Sequence, residues 1–170
     1  MALITTERLT LREVTSADAA FIIALYNEPS FIDGIGDKQV YTVAQATEYI
    51  AKNFTKSYHD NGYGMYLVVL RDVGTPIGIC GLIRRDYRDD FELGYGVSKM
   101  FWSKGYAGEA ATAVLEYGKQ QLNAKEFIAV TSMSNQASIK TLERLGFLFS
   151  KVEKLAAYDE ESRLFTLAID

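Results

Sequence analysis

Trp102-Ser103-Lys104-Gly105-Tyr106-Ala107-Gly108-Glu109-Ala110 joins the apolar run Phe91 to Val97 to an amphipathic stretch with Ala111, Val114, Leu115 and Leu122 at helical spacing. Small residues where a strand turns into a helix leave the first backbone N–H groups bare. The unpaired donors and the helix dipole favour an anion there, and Gly105, Ala107 and Gly108 let a phosphate approach without side chains in the way. Lys104 adds positive charge. The same letters also fit a plain strand-to-helix turn. Neither stronger phosphate signature accompanies them: G-x-x-x-x-G-K-[ST] is absent, and Gly94-Tyr95-Gly96 is not followed by the third glycine of a dinucleotide fingerprint.

On the N-terminal side of this turn, Met65 to Leu70, Ile77 to Ile83 and Phe91 to Val97 are short apolar runs separated by turn-rich segments, the pattern of an antiparallel meander. Earlier still, Arg8-Leu9-Thr10-Leu11-Arg12-Glu13 alternates as a strand. Ser16 then reads as the cap of a helix through Ala19, Ile22, Ile23 and Tyr26, stopped by Asn27-Glu28-Pro29. After a loop, Asp33-Gly34-Ile35-Gly36-Asp37, Thr42 caps a second helix with Ala46, Tyr49, Ile50 and Phe54 on one side, ended by Asn61-Gly62. On the C-terminal side come the helix from about Gly108, a strand Phe127 to Thr131, a helix from about Gln136 to Leu145, and a last pair, Phe147 to Leu155 and Arg163 to Ile169. With no linker, repeat or low-complexity segment, residues 1–170 read as a single α+β domain: a mixed, mostly antiparallel sheet of about seven strands with about four helices.

Composition excludes several chemistries. The 170 residues are 48% apolar and 24% charged, ordinary values for a globular protein. Lys+Arg 18 against Asp+Glu 22 leaves a net charge of −4, which offers no general footprint for nucleic acid or an anionic membrane. No apolar run has transmembrane length, and Glu7, Arg8, Arg12 and Glu13 interrupt any export signal, so a cytoplasmic location is expected. Cys80 and His59 are the only residues of their kinds. A Cys/His zinc site within one chain is thereby excluded, no metal is expected, and a Ser-His-Asp triad would need His59, which sits in a polar helix end. Cys80 lies in a run that reads as a buried strand, an inert core thiol rather than a nucleophile.

A second motif follows the strand Phe127 to Thr131. In Ser134-Asn135-Gln136-Ala137-Ser138-Ile139-Lys140-Thr141-Leu142-Glu143-Arg144-Leu145-Gly146-Phe147, Asn135 opens a helix that Gly146 closes. Together the two segments resemble the GNAT superfamily of acyl-CoA-dependent N-acetyltransferases. The pyrophosphate pattern [QR]-x-x-G-x-[GA] falls on Trp102 to Ala107, and the Asn-to-Gly-Phe helix on Asn135 to Phe147. The opening "RLTLR", "FELGYGV" and "WSKGYAGEA" are similar to the branch typified by the ribosomal-protein alanine N-acetyltransferases, so the resemblance covers nearly the whole chain. Trp102 stands where most members carry Gln or Arg, although an aromatic is usual in this branch. Many relatives protonate the leaving thiolate with a Tyr four residues before the Gly; here that position is Leu142, and Ser138 matches the Ser that the branch carries instead.

The resemblance implies a GNAT-like fold with strands splayed at an acyl-CoA site, and direct transfer of acetyl from acetyl-CoA to a primary amine without a covalent enzyme intermediate. It places the coenzyme on Val97, Trp102, Lys104, Gly105, Tyr106, Ala107, Gly108, Asn135 and Ser138. It makes Ser138 the acid at sulfur and Glu92 the base for the amine, where a solvated residue on an alternating strand is the other reading. A backbone N–H near Val97 would hold the oxyanion. The expected acceptor is a protein or peptide N-terminal amine, ahead of a small amine such as a polyamine, aminoglycoside or amino acid. It would be shaped by Asn27 to Tyr41 and Leu155 to Ser162. The chain is expected to act as a monomer or homodimer. Two rival readings are a non-catalytic acyl-CoA-binding module and a nucleotide-binding α/β domain.

Overall fold

The computed structural model describes residues 2–155 and 160–169. Its strands are β1 (Ala2–Thr5), β2 (Leu9–Glu13), β3 (Met65–Leu70), β4 (Pro76–Arg84), β5 (Phe91–Val97), β6 (Glu126–Ser132), β7 (Leu148–Glu153) and β8 (Ser162–Ala168). Among the described residues these form one sheet in the order β1-β2-β3-β4-β5-β6-β8-β7. All neighbours are antiparallel except β5 and β6. The helices are α1 (Ala19–Tyr26), α2 (Pro29–Ile35), α3 (Val43–Tyr49), α4 (Lys56–Asn61), α5 (Tyr106–Gln121) and α6 (Gln136–Arg144). A π-helical segment, Ile50–Thr55, joins α3 to α4 without a break.

The sheet is covered on both faces, which is why β3 and β4 read as near-continuous apolar runs. Along β3 the side chains alternate between two cores. Tyr66 and Val68 pack with Ala110, Ala111, Val114 of α5 and Leu142 of α6, whereas Leu67 and Val69 pack with Ile22 and Leu25 of α1 and Ala46 of α3. Each fully buried Leu or Ile in these layers contributes roughly 1.5–3 kcal/mol relative to an exposed position. Gly118 lets α5 lie close to the sheet, because a methyl group there would be 2.7 Å from Leu82 Cδ1 and 2.8 Å from Phe127 Cε1.

The structure corrects the sequence reading in four places. The sheet has eight strands rather than about seven: β1 is four residues long and too short for an alternating pattern to register. A helix, α2, occupies part of the segment read as loop. Pro29 ends α1 but also stands at the first turn of α2, where its fixed φ and missing N–H cost nothing, and Gly34 inside it hides the helical spacing. The first helical turn is capped by Thr15 rather than Ser16, because the Asp18 carboxylate accepts from the Thr15 N–H at 2.8 Å. Finally, α5 begins at Tyr106, two residues before Gly108.

Asp18 also receives both Arg12 terminal nitrogens, at 2.9 and 2.8 Å, and so ties β2 to the start of α1. Burial pushes its carboxyl up, but the bonds from Arg12 and Thr15 outweigh burial and hold it below the usual carboxylate range. Its ionised form therefore adds stability above about pH 4, the ordinary range of an Asp, and that contribution is lost as the pH falls below it. Asp18→Asn should lower the thermal midpoint at neutral pH, and its gap from the native protein should close on acidification. Thermal unfolding followed from pH 7 down to about pH 3 checks this; a gap independent of pH would contradict it.

Candidate active site

The meander delivers β5 into the middle of the sheet, with β4 on one side along its whole length, from Arg84↔Phe91 to Gly78↔Val97. On the other side β5 meets β6 at only two positions, Phe91↔Phe127 and Glu92↔Ile128. Beyond them the strands part, because Ala129 to Ser132 follow β8 through to Ser132↔Ser162. Ser98 N–H is bonded to Ile77 O at 2.8 Å; by the alternation of an antiparallel ladder, Val97 N–H then points away from β4 and into the gap. The gap opens into a cleft of about 1230 Å³ that runs across both faces of the sheet.

At the end of β5 the chain turns into α5 through Gly105, whose φ of +80° is a left-handed conformation that glycine adopts without strain. No side chain caps this helix, and its first turn, Tyr106 to Glu109, lines the cleft. Gly108 faces open space, with no atom within 4 Å of where a methyl would stand. The turn is clamped from behind by the N-terminal segment. Arg8 donates to Lys104 O at 2.8 Å and to Glu109 Oε2 at 2.6 Å, and its guanidinium lies 4.5 Å above the Tyr106 ring. Glu109 also accepts from Thr6 Oγ1 at 2.6 Å and Arg8 N–H at 2.9 Å. Burial pushes the Glu109 carboxyl up, yet these donors hold it below the usual range. Trp102 Nε1–H donates to Val97 O at 2.8 Å, fixing the far side of the turn.

Across the gap, α6 is capped by Asn135, whose Oδ1 accepts from Ser138 N–H at 3.2 Å. Its amide packs on α2, since a methyl on Gly34 would lie 3.0 Å from Asn135 Nδ2. Ser138 Oγ is 2.8 Å from Tyr95 Oη of β5. Leu142, one turn further on, is buried in the core. On the opposite face of β5 stands Glu92, 5% exposed, paired with Arg85 through Nε at 3.0 Å and Nη2 at 3.2 Å. Two features adapt the α1–α4 side to the cleft. Glu28 accepts from Ser98 Oγ at 2.5 Å and Lys99 N–H at 3.0 Å, which holds the start of α2 against the end of β5. Asn53 and Phe54 of the π-helical segment, flanked by Tyr49 of α3 and Ser57 of α4, form part of the cleft wall.

Of the residues singled out in the sequence, Glu92, Val97, Trp102, Gly105, Tyr106, Ala107, Gly108, Asn135 and Ser138 all line this one cleft. Lys104 is exposed and contributes its carbonyl to Arg8 instead of a cleft-lining side chain. Asn27 to Tyr41 lines it through α2 and the following loop; of Leu155 to Ser162, Glu160, Glu161 and Ser162 do so, and residues 156–159 lie outside the described residues. Sequence reasoning missed Tyr95, Arg85, Thr131 and Ser132, none of which carries a pattern of its own. It quoted Arg8 and Glu109 inside motifs but gave no sign that they meet. Burial raises the Cys80 thiol well above its ordinary value, as an inert core residue requires, and His59 is exposed on α4 away from the cleft.

Acetyl-CoA fits what the chain offers as a substrate. Bare amides and an open Gly108 suit its pyrophosphate, and the gap-facing backbone of β5 suits its amide-rich pantetheine arm. Thr131 Oγ1 and Ser132 Oγ, buried on β6 beside the gap, have no hydrogen-bond partner, the condition expected of groups that a ligand completes.

Residues 8–148 match the family described as Acetyltransferase (GNAT) domain, and the chain belongs to that family. It is an acetyl-CoA-dependent N-acetyltransferase. The uncharacterized N-acetyltransferase p20 of Bacillus licheniformis is 29% identical over 143 residues, spanning 84% of this chain and 80% of its own. The acetyltransferase of Agrobacterium tumefaciens superposes with a TM-score of 0.83 at 25% identity, over 98% of this chain and 94% of its own. The ribosomal L7/L12 alpha-N-protein acetyltransferase RimL, solved with coenzyme A, shares the fold with a TM-score of 0.83 at 17% identity, over 100% of this chain and 99% of that one. Among the described residues no helix is long and apolar enough to cross a membrane.

The open position of Gly108 gives a clean test of the pyrophosphate seat. Gly108→Glu introduces no clash within the free protein but sets bulk and negative charge against the phosphates. Its calorimetric Kd for acetyl-CoA should rise more than about tenfold, or about 1.4 kcal/mol, with the thermal midpoint retained. An unchanged Kd in the folded variant would remove α5 as the seat.

Proposed function

We propose that residues 1–170 act as one domain that transfers acetyl directly from acetyl-CoA to a primary amine, first of all the N-terminal amine of a ribosomal protein or similar peptide. The observation that carries the direct transfer is the parted β5–β6 gap, with Val97 N–H turned into it and Ser138 across from it. In this reading the pyrophosphate sits on the amides of Gly105 to Gly108 with Tyr106 and Ala107 between, Trp102 and Asn135 frame the arm, and the thioester lies beside Val97. The amine attacks the carbonyl carbon, the C=O electrons move onto oxygen, and Val97 N–H stabilises that charge. Collapse of the adduct breaks the C–S bond, and the Ser138 hydroxyl gives its proton to the departing thiolate. The amine must shed a proton as well. Glu92, on the acceptor face of β5 and oriented by Arg85, takes the proton of the ammonium form through water before attack, and the second proton, left on the adduct nitrogen, passes through water to the Ser138 oxygen.

Among the described residues the buried Cys80 thiol and the distant His59 supply neither a cysteine nucleophile nor a Ser-His pair at the cleft, which favours direct transfer. An α-amine supports the acceptor assignment, because its reference pKa near ~8, against ~10.4 for a lysine side chain, leaves more of it neutral. The net charge of −4 suits a basic protein tail. RimL, which shares this fold, is an alpha-N-protein acetyltransferase of ribosomal L7/L12.

Mass spectrometry of the host's ribosomal-protein N-termini, with and without this protein, tests the acceptor. Loss of acetylation from at least one N-terminus on deletion is the expected result. An unchanged set, with rapid turnover of a polyamine or aminoglycoside by the purified protein, would make a small amine the substrate. Separately, Glu92→Gln should slow the reaction at neutral pH by about tenfold or more without weakening acetyl-CoA binding. An unchanged rate would remove Glu92 from the mechanism.

A further inference from the structure

The phenol of Tyr95, on β5, reaches α6 across the gap. Tyr95 lies on β5 between Leu93 and Val97, on the face that packs against α5 and α6, and its ring belongs to that core. Its Oη stands 2.8 Å from Ser138 Oγ and 3.2 Å from Ser138 O. Thr141 lies beside it as well, but the Thr141 hydroxyl donates to Ala137 O at 3.0 Å, so its proton is already committed. The phenol carries one proton and faces three acceptors, Ser138 Oγ, Ser138 O and Thr141 Oγ1. When it donates to the Ser138 carbonyl, the Ser138 O–H is left to point back at the phenol. When it donates to Ser138 Oγ, the serine proton is turned away from β5 and is free to enter the cleft that Ser138 lines.

A serine hydroxyl in the first turn of a helix has several rotamers, and no helical contact selects the one that serves a ligand. Tyr95 makes that selection. The position one turn along α6, where a phenol could have stood, holds Leu142, which is buried in the core. A phenol therefore meets this part of the cleft from β5 and not from α6. Burial raises its pKa to about 12, so at neutral pH it remains a proton donor.

We propose that Tyr95 is a positioning residue for acetyl transfer: by donating to Ser138 Oγ it aims the Ser138 O–H at the sulfur that leaves the acetyl group. This rests on the reading of Ser138 as the acid. In the step the C–S bond breaks with its electron pair going to sulfur, the Ser138 proton moves to sulfur, and the proton shed by the attacking amine returns through water to the serine oxygen. The phenol keeps its own proton throughout.

The test is a double-mutant cycle on the full chain, Tyr95→Phe and Ser138→Ala singly and together. Initial rates of free-thiol release from acetyl-CoA are read with an amine from the panel of N-terminal peptides, polyamines and aminoglycosides, and acetyl-CoA affinity is read by calorimetry. Expected are a fall in kcat of about tenfold or more in each single variant, Kd for acetyl-CoA within about twofold of the native value, and no further loss in the double variant. A merely structural phenol would raise Kd and add its full effect in the Ser138→Ala background, and either finding overturns the proposal. So does a Tyr95→Phe protein with native kcat while Ser138→Ala is impaired. If Ser138→Ala itself has native kcat, or no amine is turned over, the reading of the site falls first and the proposal with it.

Discussion

Two positions after they begin to pair, β5 and β6 separate, because each strand has a stronger commitment on its other side. β5 is laddered to β4 as far as Gly78↔Val97, and β6 to β8 as far as Ser132↔Ser162. Two such ladders hold the facing edges apart, so backbone groups that an ordinary sheet would satisfy are left in a cleft. An unmade buried hydrogen bond costs roughly 1–3 kcal/mol. A ligand with amides along its length relieves that deficit. The coenzyme seat, the oxyanion donor and the facing hydroxyl of Ser138 all take their positions from this separation.

Holding the gap in shape requires ties that bypass the sheet. Arg8 and Glu109 lash the first turn of α5 to the segment before β2, over a sequence separation of about a hundred residues. Because Arg8 is partly exposed, this pair acts by setting geometry more than by adding net stability. Glu28 fastens α2 to the end of β5, and Asn135 meets α2 from the other side. The small residue at Gly96 matters here as well: a methyl group in its place would lie 3.0 Å from Phe31, so α2 can close down on β5 only because β5 is bare at that point. The acceptor side is thus walled by a helix whose ends are pinned and whose underside is shaped to the strand.

What was legible in the sequence depended on periodicity and punctuation. The meander, α3, α5 and α6 stood out because apolar spacing and capping residues such as Thr42, Asn135 and Gly146 mark them locally. The small-residue turn from Gly105 to Gly108 and the Asn135 cap carried enough pattern to suggest the family and most of the cleft. Short or disguised elements were lost: β1 has too few residues to alternate, and α2 is opened by the same Pro29 that ends α1. Contacts between distant segments left no local trace. Nothing near Glu92 announces Arg85 as its partner, nothing near Ser138 announces Tyr95, and the π-helical insertion at Ile50–Thr55 arises from packing that spacing alone does not encode.

The claim on which the account depends is that the acyl-pantetheine arm fills the gap and satisfies its backbone. Hydrogen–deuterium exchange of the native protein, with acetyl-CoA and with 3′-phospho-ADP as the arm-less half of the coenzyme, tests it directly. Acetyl-CoA should protect amides in both the Gly105 to Gly108 turn and the Leu93 to Val97 stretch of β5, whereas 3′-phospho-ADP should protect the turn alone. Protection by acetyl-CoA that spares Leu93 to Val97 would contradict the account, since the arm would then lie outside the gap.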